Sequence, residues 1–490
     1  MTEPQPALAT ESSPARHAGP VWQRRPWSVL VLLSAAEFMV ILDATVVNVA
    51  LPSIGRALHV TAGGLPWVVT AYVLFSGGLV LLGGRAADVA GRRRVFLAGL
   101  TVFTAASLAS GLATSAGTLI VARAGQGLGA ALLTPAALSI ITATYSGRQR
   151  AAALSAWGAI GGGGAAAGVL AGGALTTWLG WRSVFLVNVP VGAVAGLLAL
   201  RLVPPSGTRA RIRRELDLPG AVLAVAGLVT AVYALAGTSA HGWASARTLA
   251  LLAVSCGLLA GFAAAEYSAR RPLLPPRTWR NRSLVAGGLV MFGATGILVG
   301  TFFLNTLYLQ DVAGASALRA GLEFLPLVGV IGLGSHLTSR LLPRAGSRVL
   351  AVAGLALMSA GALLLSALPA GAGYATGLLP GLLVIGAGTG LVFPAASVAA
   401  MSDIPAARSG IASGLMTTAH EIGAALGVAV FSAVATAQAS AGGGFAADGF
   451  AAGYRHGFTV MAVAAAGLAL AAALAVPAVR PTPGVKVAMH

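Results

Sequence analysis

The chain has 490 residues, of which 57% are apolar and only 9% are charged. Ordinary soluble domains carry about 25% charged residues, so a soluble fold of this length lacks the surface it would need, and the composition points to a lipid-facing one. The net charge of +18 is almost all arginine; these cations fall between apolar runs and not on one face or domain, which argues for orientation in a membrane and against nucleic-acid binding.

Residues 1–26 are rich in Pro, Ala, Ser and Thr and are expected to form a disordered cytoplasmic tail. They lack the apolar core of a signal peptide, and the run beginning at Trp27 is too long to be one. Runs of about 20 apolar residues, enough to cross a bilayer, are predicted at roughly 28–50, 62–83, 95–114, 118–143, 152–175, 183–203 and 217–237. The others are predicted at roughly 247–267, 284–308, 321–342, 349–368, 375–400, 409–434 and 456–478. The chain is therefore an all-α polytopic membrane protein with about fourteen helices.

An even number of spans puts both termini on one side. With that side cytoplasmic it receives Arg24, Arg25, Arg92, Arg93, Arg94, Arg148, Arg150, Arg209, Arg211, Arg213, Arg214, Arg270, Arg271, Arg277, Arg280, Arg282, Arg340, Arg344, Arg348 and Lys486. The other side receives Arg56, Arg182, Arg247, Arg319 and Arg455. The positive-inside rule then places both termini in the cytoplasm, in a plasma membrane. The single cysteine, Cys256, excludes an intramolecular disulfide and multi-cysteine metal sites; in an apolar run it is expected to be buried.

The chain repeats itself. Helix 4 contains Gly127, Gly129 and Pro135-Ala-Ala, and helix 12 contains Gly386, Gly388 and Pro394-Ala-Ala. Helix 5 contains Gly164 and Gly168, and helix 13 contains Gly423 and Gly427. All these pairs share one offset, as a duplicated half would give. The expected division is a six-helix bundle over 27–203, a linker with two inserted helices over 204–282, and a second six-helix bundle with a short tail over 283–490.

Specific motifs sharpen this plan. Gly84-Arg-Ala-Ala-Asp88-Val-Ala-Gly91-Arg92-Arg93 lies between helices 2 and 3, and Leu42-Asp43-Ala-Thr-Val-Val-Asn48-Val-Ala-Leu-Pro52 lies in helix 1. Helix 4 carries Leu119, Arg123, Gln126, Gly127 and Gly129, and helix 6 opens with Trp181-Arg182-Ser-Val-Phe-Leu-Val-Asn188-Val-Pro190. Together they resemble the major facilitator superfamily, specifically its fourteen-helix drug:proton antiporter branch. The resemblance runs from about Trp27 to the last helix. It implies the major facilitator fold, 6+2+6 helices, and a proton-coupled antiporter that exports small amphipathic drugs or natural products by alternating access. Two features depart from the branch. Val169 follows Gly168 where relatives have Pro, so the kink that Pro supplies is expected to be weaker or absent. His420-Glu421 stands in helix 13 where many relatives have a basic residue and Gln.

Ionisable residues inside a membrane are costly and point to function. Asp43 and Arg123 fall at similar depth and are expected to pair. Asp43, Glu37, Glu421 and Arg123 are the candidates for proton coupling. Glu37, Asn48, Gln126, His420 and Glu421 are the candidates for a substrate cavity: Glu37 and Asn48 share one face of helix 1, whereas His420 and Glu421 point about 100° apart. His336 is expected at the interface. The resemblance implies that Gly84, Asp88, Gly91, Arg92 and Arg93 form a latch joining the halves in the outward-open state, with Asp88 in a tight turn between Gly84 and Gly91. Gly164, Gly168 and Gly172 recur every fourth residue, a packing stripe expected to meet a helix of the other half.

Other matches fail on context. Gly125-x-Gly127-x-x-Ala130 lies inside an apolar helix, with no strand before it for a dinucleotide fold. Gly161 to Gly164 is followed by no Gly-Lys-Ser/Thr, and zinc-protease and serine-hydrolase motifs are missing from the sequence. The expectation is a transporter and not an enzyme, a monomer with no metal or cofactor, driven by a proton gradient. Its partners are a small amphipathic substrate, protons and the bilayer. The alternatives are an exporter of a specific metabolite or lipid on the same scaffold, or a membrane sensor.

Overall fold

Each predicted apolar run is a helix in the computed structural model, which describes residues 26–60, 64–203, 217–269, 272, 278, 280–369, 373–404, 409–441 and 447–480. Among the described residues, fourteen helices are long and apolar enough to cross a membrane. The first half comprises α1 (Pro26–Leu58), α2 (Leu65–Ala90), α3 (Arg92–Gly111), α4 (Ala116–Thr144), α5 (Gly147–Leu179) and α6 (Ser183–Leu202, stepped at Val187). Two inserted helices follow, α7 (Leu218–Ala236) and α8 (Ala246–Ser268). The second half comprises α9 (Arg282–Leu307), α10 (Ala317–Ala345), α11 (Ser347–Ser366), α12 (Leu379–Met401), α13 (Ser409–Ala441) and α14 (Ala447–Ala475). Pro26, expected to end the tail, begins α1; residues 1–25 with Arg24 and Arg25, and Arg209, Arg211, Arg213, Arg214, Arg270, Arg271, Arg277 and Lys486, lie outside the described residues.

Short connections alternate between two ends of the bundle. One, the basic end, carries Arg92, Arg93, Arg94, Arg148, Arg150, Arg201, Arg280, Arg282, Arg340, Arg344, Arg348 and Arg480. The distal end carries Arg56, Arg182, Arg247, Arg319 and Arg455.

The repeat is visible as packing. In the first half α5 packs on α1, α4 on α2 and α3, and α6 on α1 and α3. In the second, α13 packs on α9, α12 on α10 and α11, and α14 on α9 and α11. The glycines explain why. A Cβ on Gly127 would strike the backbone of α2 at Tyr72, and one on Gly129 the backbone of α3 at Phe103. Their counterparts Gly386 and Gly388 meet Leu327 of α10 and Gly354 and Met358 of α11 in the same way. Small residues let these backbones touch where lipid supplies no hydrophobic drive between helices.

The stripe on α5 has a different partner from the one expected. Gly164 faces Phe38 and Ile41, Gly168 faces Thr45, and Gly172 faces Val46, all on α1 of the same half. Gly423 and Gly427 face Phe292 and Gly296 of α9 likewise. The surface that α5 turns to the other half is the neighbouring one, where Val169 and Gly173 meet Gly321, Ala317 and Leu318 of α10. Helix α5 runs unbroken through Val169, whose side chain is buried at this seam. Cys256 also departs from expectation: it is exposed on α8, a helix that packs chiefly on α7.

Candidate functional site

The capping box at the start of α4 sets the register of the site. The Ser115 hydroxyl accepts from the Thr118 amide, and the Ser115 amide donates back to the Thr118 hydroxyl, which satisfies donors a helix start leaves open. Two turns on, Arg123 and Gln126 share a face and enter the centre of the first half. Arg123 and Asp43 are 0% exposed, and their Nη1 and Oδ2 atoms lie 2.5 Å apart. The other carboxylate oxygen accepts from Gln126 Nε2 and Asn188 Nδ2, both at 2.8 Å. Ser107 accepts a second hydrogen bond from Gln126 at 2.7 Å, and Ser110 donates to Gln126 Oε1 at 3.0 Å. Arg123 Nε donates to the Val68 carbonyl at 2.9 Å, and its guanidinium sits 4.4 Å from the Tyr72 ring centre. The pairing expected between Asp43 and Arg123 is present, inside a network drawn from α1, α2, α3, α4 and α6.

Gln126, a candidate for the cavity wall, is fully buried in this network. Ser107, Ser110, Tyr72 and Asn188 belong to it and were not singled out as site residues. Asn188 stands in the quoted α6 motif; the two serines were legible only as polar residues in an apolar run. The step at Val187 aims Asn188 inward. Pro190 has no N–H to give Leu186, and the helix restarts at Asn188.

Glu37 and Glu421 are differently placed. Glu37 is 7% exposed and accepts a hydrogen bond from Thr134 at 2.9 Å. Glu421 projects from α13 against Gly77 of α2, across the boundary between the halves. The two carboxyls are within electrostatic reach of each other, and among the described residues neither has a cation within ion-pair distance. His420 turns away into the second half, sharing a 3.0 Å hydrogen bond with Thr295 and lying edge-on to Phe393. Asn48 donates to the Ala44 carbonyl, and its side-chain oxygen is buried without a partner. His336 is exposed on the basic-end half of α10.

The two halves are tied together at the distal end. Arg56 pairs with Asp311 at 3.0 Å, Gln310 donates to the Val49 carbonyl at 2.7 Å, and the Leu318 amide donates to Thr177 at 3.1 Å. Gln310 and Asp311 reach α1 because α9 ends in a π-helical turn, Tyr308–Val312, a distortion common at functional sites. At the basic end the motif of Gly84, Asp88, Gly91, Arg92 and Arg93 joins α2 to α3. Helix α2 continues to Ala90, so Gly84 and Asp88 are helical and only Gly91, at φ 97°, makes the turn. This corrects the expected turn between Gly84 and Gly91. Asp88 is exposed and has no partner among the described residues, Arg92 begins α3, and Arg93 bonds the Leu200 carbonyl of its own half.

Among the described residues, twelve spans in two six-helix bundles, two more inserted between them, and an ion pair buried inside the first bundle define a polytopic membrane carrier. The chain belongs to the Major Facilitator Superfamily, whose family profile matches residues 33–428. It is 41% identical over 476 residues to a puromycin resistance protein of Streptomyces alboniger, covering 96% of this chain and 93% of that one. It is also 41% identical over 406 residues to a cephamycin export protein of Amycolatopsis lactamdurans, covering 82% and 84%. Among solved structures it resembles a bacterial homologue of the human lysosomal transporter Spinster in an inward-facing, occupied conformation. That match has a TM-score of 0.67 and 17% identity, and covers 92% of this chain and 96% of the other.

Proposed function

We propose that this protein exports small amphipathic molecules of the antibiotic and drug class across the plasma membrane in exchange for protons. Resistance and export are the roles named for its curated relatives. The observation that carries the coupling is the contrast between its membrane acids. Asp43 is held by three donors including a cation, and releasing it breaks the centre of the first half. Glu421 stands at the boundary between the halves and Glu37 is bonded to Thr134, neither paired with a cation among the described residues, so either can exchange a proton, or meet a substrate amine, without breaking an ion pair. The basic end is assigned to the cytoplasm by its arginines; the distal closure then corresponds to a state open inward.

The test uses purified protein in proteoliposomes with an inward-directed proton gradient and a panel of fluorescent amphipathic cations. Gradient-dependent movement is expected, lost in Glu421→Gln while substrate binding persists. Full coupling in both Glu421→Gln and Glu37→Gln would refute the assignment of the acids. Movement of the panel by native protein without any response to the gradient would refute antiport.

A further inference from the structure

The two boundaries between the halves are not alike. On one side α5 meets α10; on the other α2 meets α13. The inserted helix α7 packs against both α2 and α13, so it lies along the second boundary and touches one helix of each half. Two consecutive glycines on α2 make this three-helix contact possible. Gly77 faces Glu421 of α13, and Gly78 faces Val225 of α7.

The inward face of α7 is a stripe of Ala221, Val225, Leu228 and Val232, all buried, at the spacing of one helical face. Leu228 and Val232 join the main apolar core of the molecule. On its other side α7 receives α8, whose Ser255 donates to the Gly227 carbonyl at 2.8 Å. At the distal end Tyr233 of α7 lies tilted against Trp67 of α2, ring centres 6.4 Å apart, and Arg247 of α8 donates to the Tyr233 hydroxyl at 2.9 Å. Aromatic and basic groups at a membrane boundary fix the depth of a helix. The insert is thus anchored to α2 by side chains in two places; it also touches α13, through α7 and through the short helix Thr238–His241 that follows it.

We propose that α7 is a fixed cover over the α2–α13 boundary, which rides with α2 and keeps lipid away from Glu421 while α13 moves beneath it. A carboxyl at mid-membrane that opened sideways to lipid would lose access to water and to a polar substrate. Among the described residues the α5–α10 boundary has Glu323 near its distal end, paired with Arg319, and no acid at mid-membrane, and the insert lies along the other boundary.

Two measurements test this. The first uses a lipophilic carbodiimide, which modifies carboxyls reached from the hydrocarbon, with the labelled peptides read by mass spectrometry. A Cβ at position 78 would lie 2.8 Å from Val225 Cγ2, so Gly78→Leu pushes α7 outward. Labelling of Glu421 is expected to rise about tenfold over the native protein, the change in open population that ordinary overpacking strain produces, with Glu37 as the internal reference. Equal labelling of Glu421 in the two folded proteins would overturn the proposal. The second keeps α7 in place. The Cβ position of residue 78 is 3.9 Å from Val225 Cβ, near the ~3.8 Å of a relaxed disulfide. Gly78→Cys with Val225→Cys, in a Cys256→Ser background, is expected to cross-link and to transport at the native rate. Loss of transport on oxidation, recovered on reduction, would show that α7 must move against α2 and would equally overturn the idea. The labelling experiment reads structure alone, so it stands whichever substrate the protein carries.

Discussion

Removing the charge of Asp43 tests whether the buried network is one unit. Asp43→Asn keeps the shape but removes the charge and puts an NH2 donor where one accepting oxygen stood, so the three charge-assisted hydrogen bonds from Arg123, Gln126 and Asn188 are weakened, and those on the replaced oxygen face donor against donor. Charge-assisted bonds are roughly twice as strong as neutral ones, so each loses about 1 kcal/mol and the set about 3 kcal/mol. That agrees with the roughly 3–5 kcal/mol cost of stranding one partner of a buried pair. Arg123 retains the Val68 carbonyl and the Tyr72 ring, which places the expectation at the lower end. The assay is reversible unfolding in mixed micelles on Asp43→Asn, Arg123→Gln and the double variant. The two single changes should each destabilise, and the double should cost less than their sum by about 2 kcal/mol. Additive losses, or an Asp43→Asn variant within about 0.5 kcal/mol of native, would refute the reading of a coupled pair.

Two further outcomes follow from the ends of the bundle. The Arg56–Asp311 pair is solvent-exposed, with side chains 63% and 40% accessible, so it contributes at most about 1 kcal/mol. Asp311→Asn should therefore raise the labelling rate of a Thr177→Cys probe by a membrane-impermeant maleimide only about two- to fivefold; an unchanged rate would remove the pair from the distal closure. At the basic end, Gly91→Ala should cost about 1–2 kcal/mol, because its φ of 97° is closed to a side chain. Gly84→Ala should lie within about 0.5 kcal/mol of native, since a Cβ there meets only Pro135 at 3.8 Å. Unfolding midpoints of the two variants check the contrast.

The spans were legible because lipid demands long apolar runs and water demands breaks between them. The repeat was legible because glycines at one offset hold two backbones together in each half. What helical spacing leaves open is the azimuth, meaning which neighbour a face meets. Gly164, Gly168 and Gly172 announced a close contact but not that it lay with α1, and Cys256 sits in an apolar run that turns out to be a surface helix. Boundaries moved for a related reason. The first run was expected over 28–50, yet the helix continues through Pro52 to Leu58, as surrounding helices can compensate the one backbone bond that proline removes. The pairing of Asp43 with Arg123 was readable from depth and charge. Ser107, Ser110 and Tyr72 were not, since they belong to the site only through the way α2, α3 and α4 converge.

The duplication itself bears on why the network exists. At the offset that relates α4 to α12, Arg123 and Gln126 correspond to Leu382 and Ile385, both 0% exposed. The second half thus fills the same place with hydrocarbon, so the architecture does not require an ion pair there. Apolar replacements of buried ion pairs are often neutral or stabilising by about 1–4 kcal/mol, while half-replacements are costly. The full replacement Asp43→Leu, Arg123→Leu, Gln126→Ile, Asn188→Leu, Ser107→Ala, Ser110→Ala, which strands none of the buried side chains, should accordingly fold with stability within about 1 kcal/mol of native or above it. If the network serves coupling, the same variant should bind substrate but fail to link its movement to the proton gradient. Folded, stable and fully coupled protein would show the network to be dispensable. A collapse of stability matching the single changes would show it to be structural, with the two halves solving one packing problem in unequal ways.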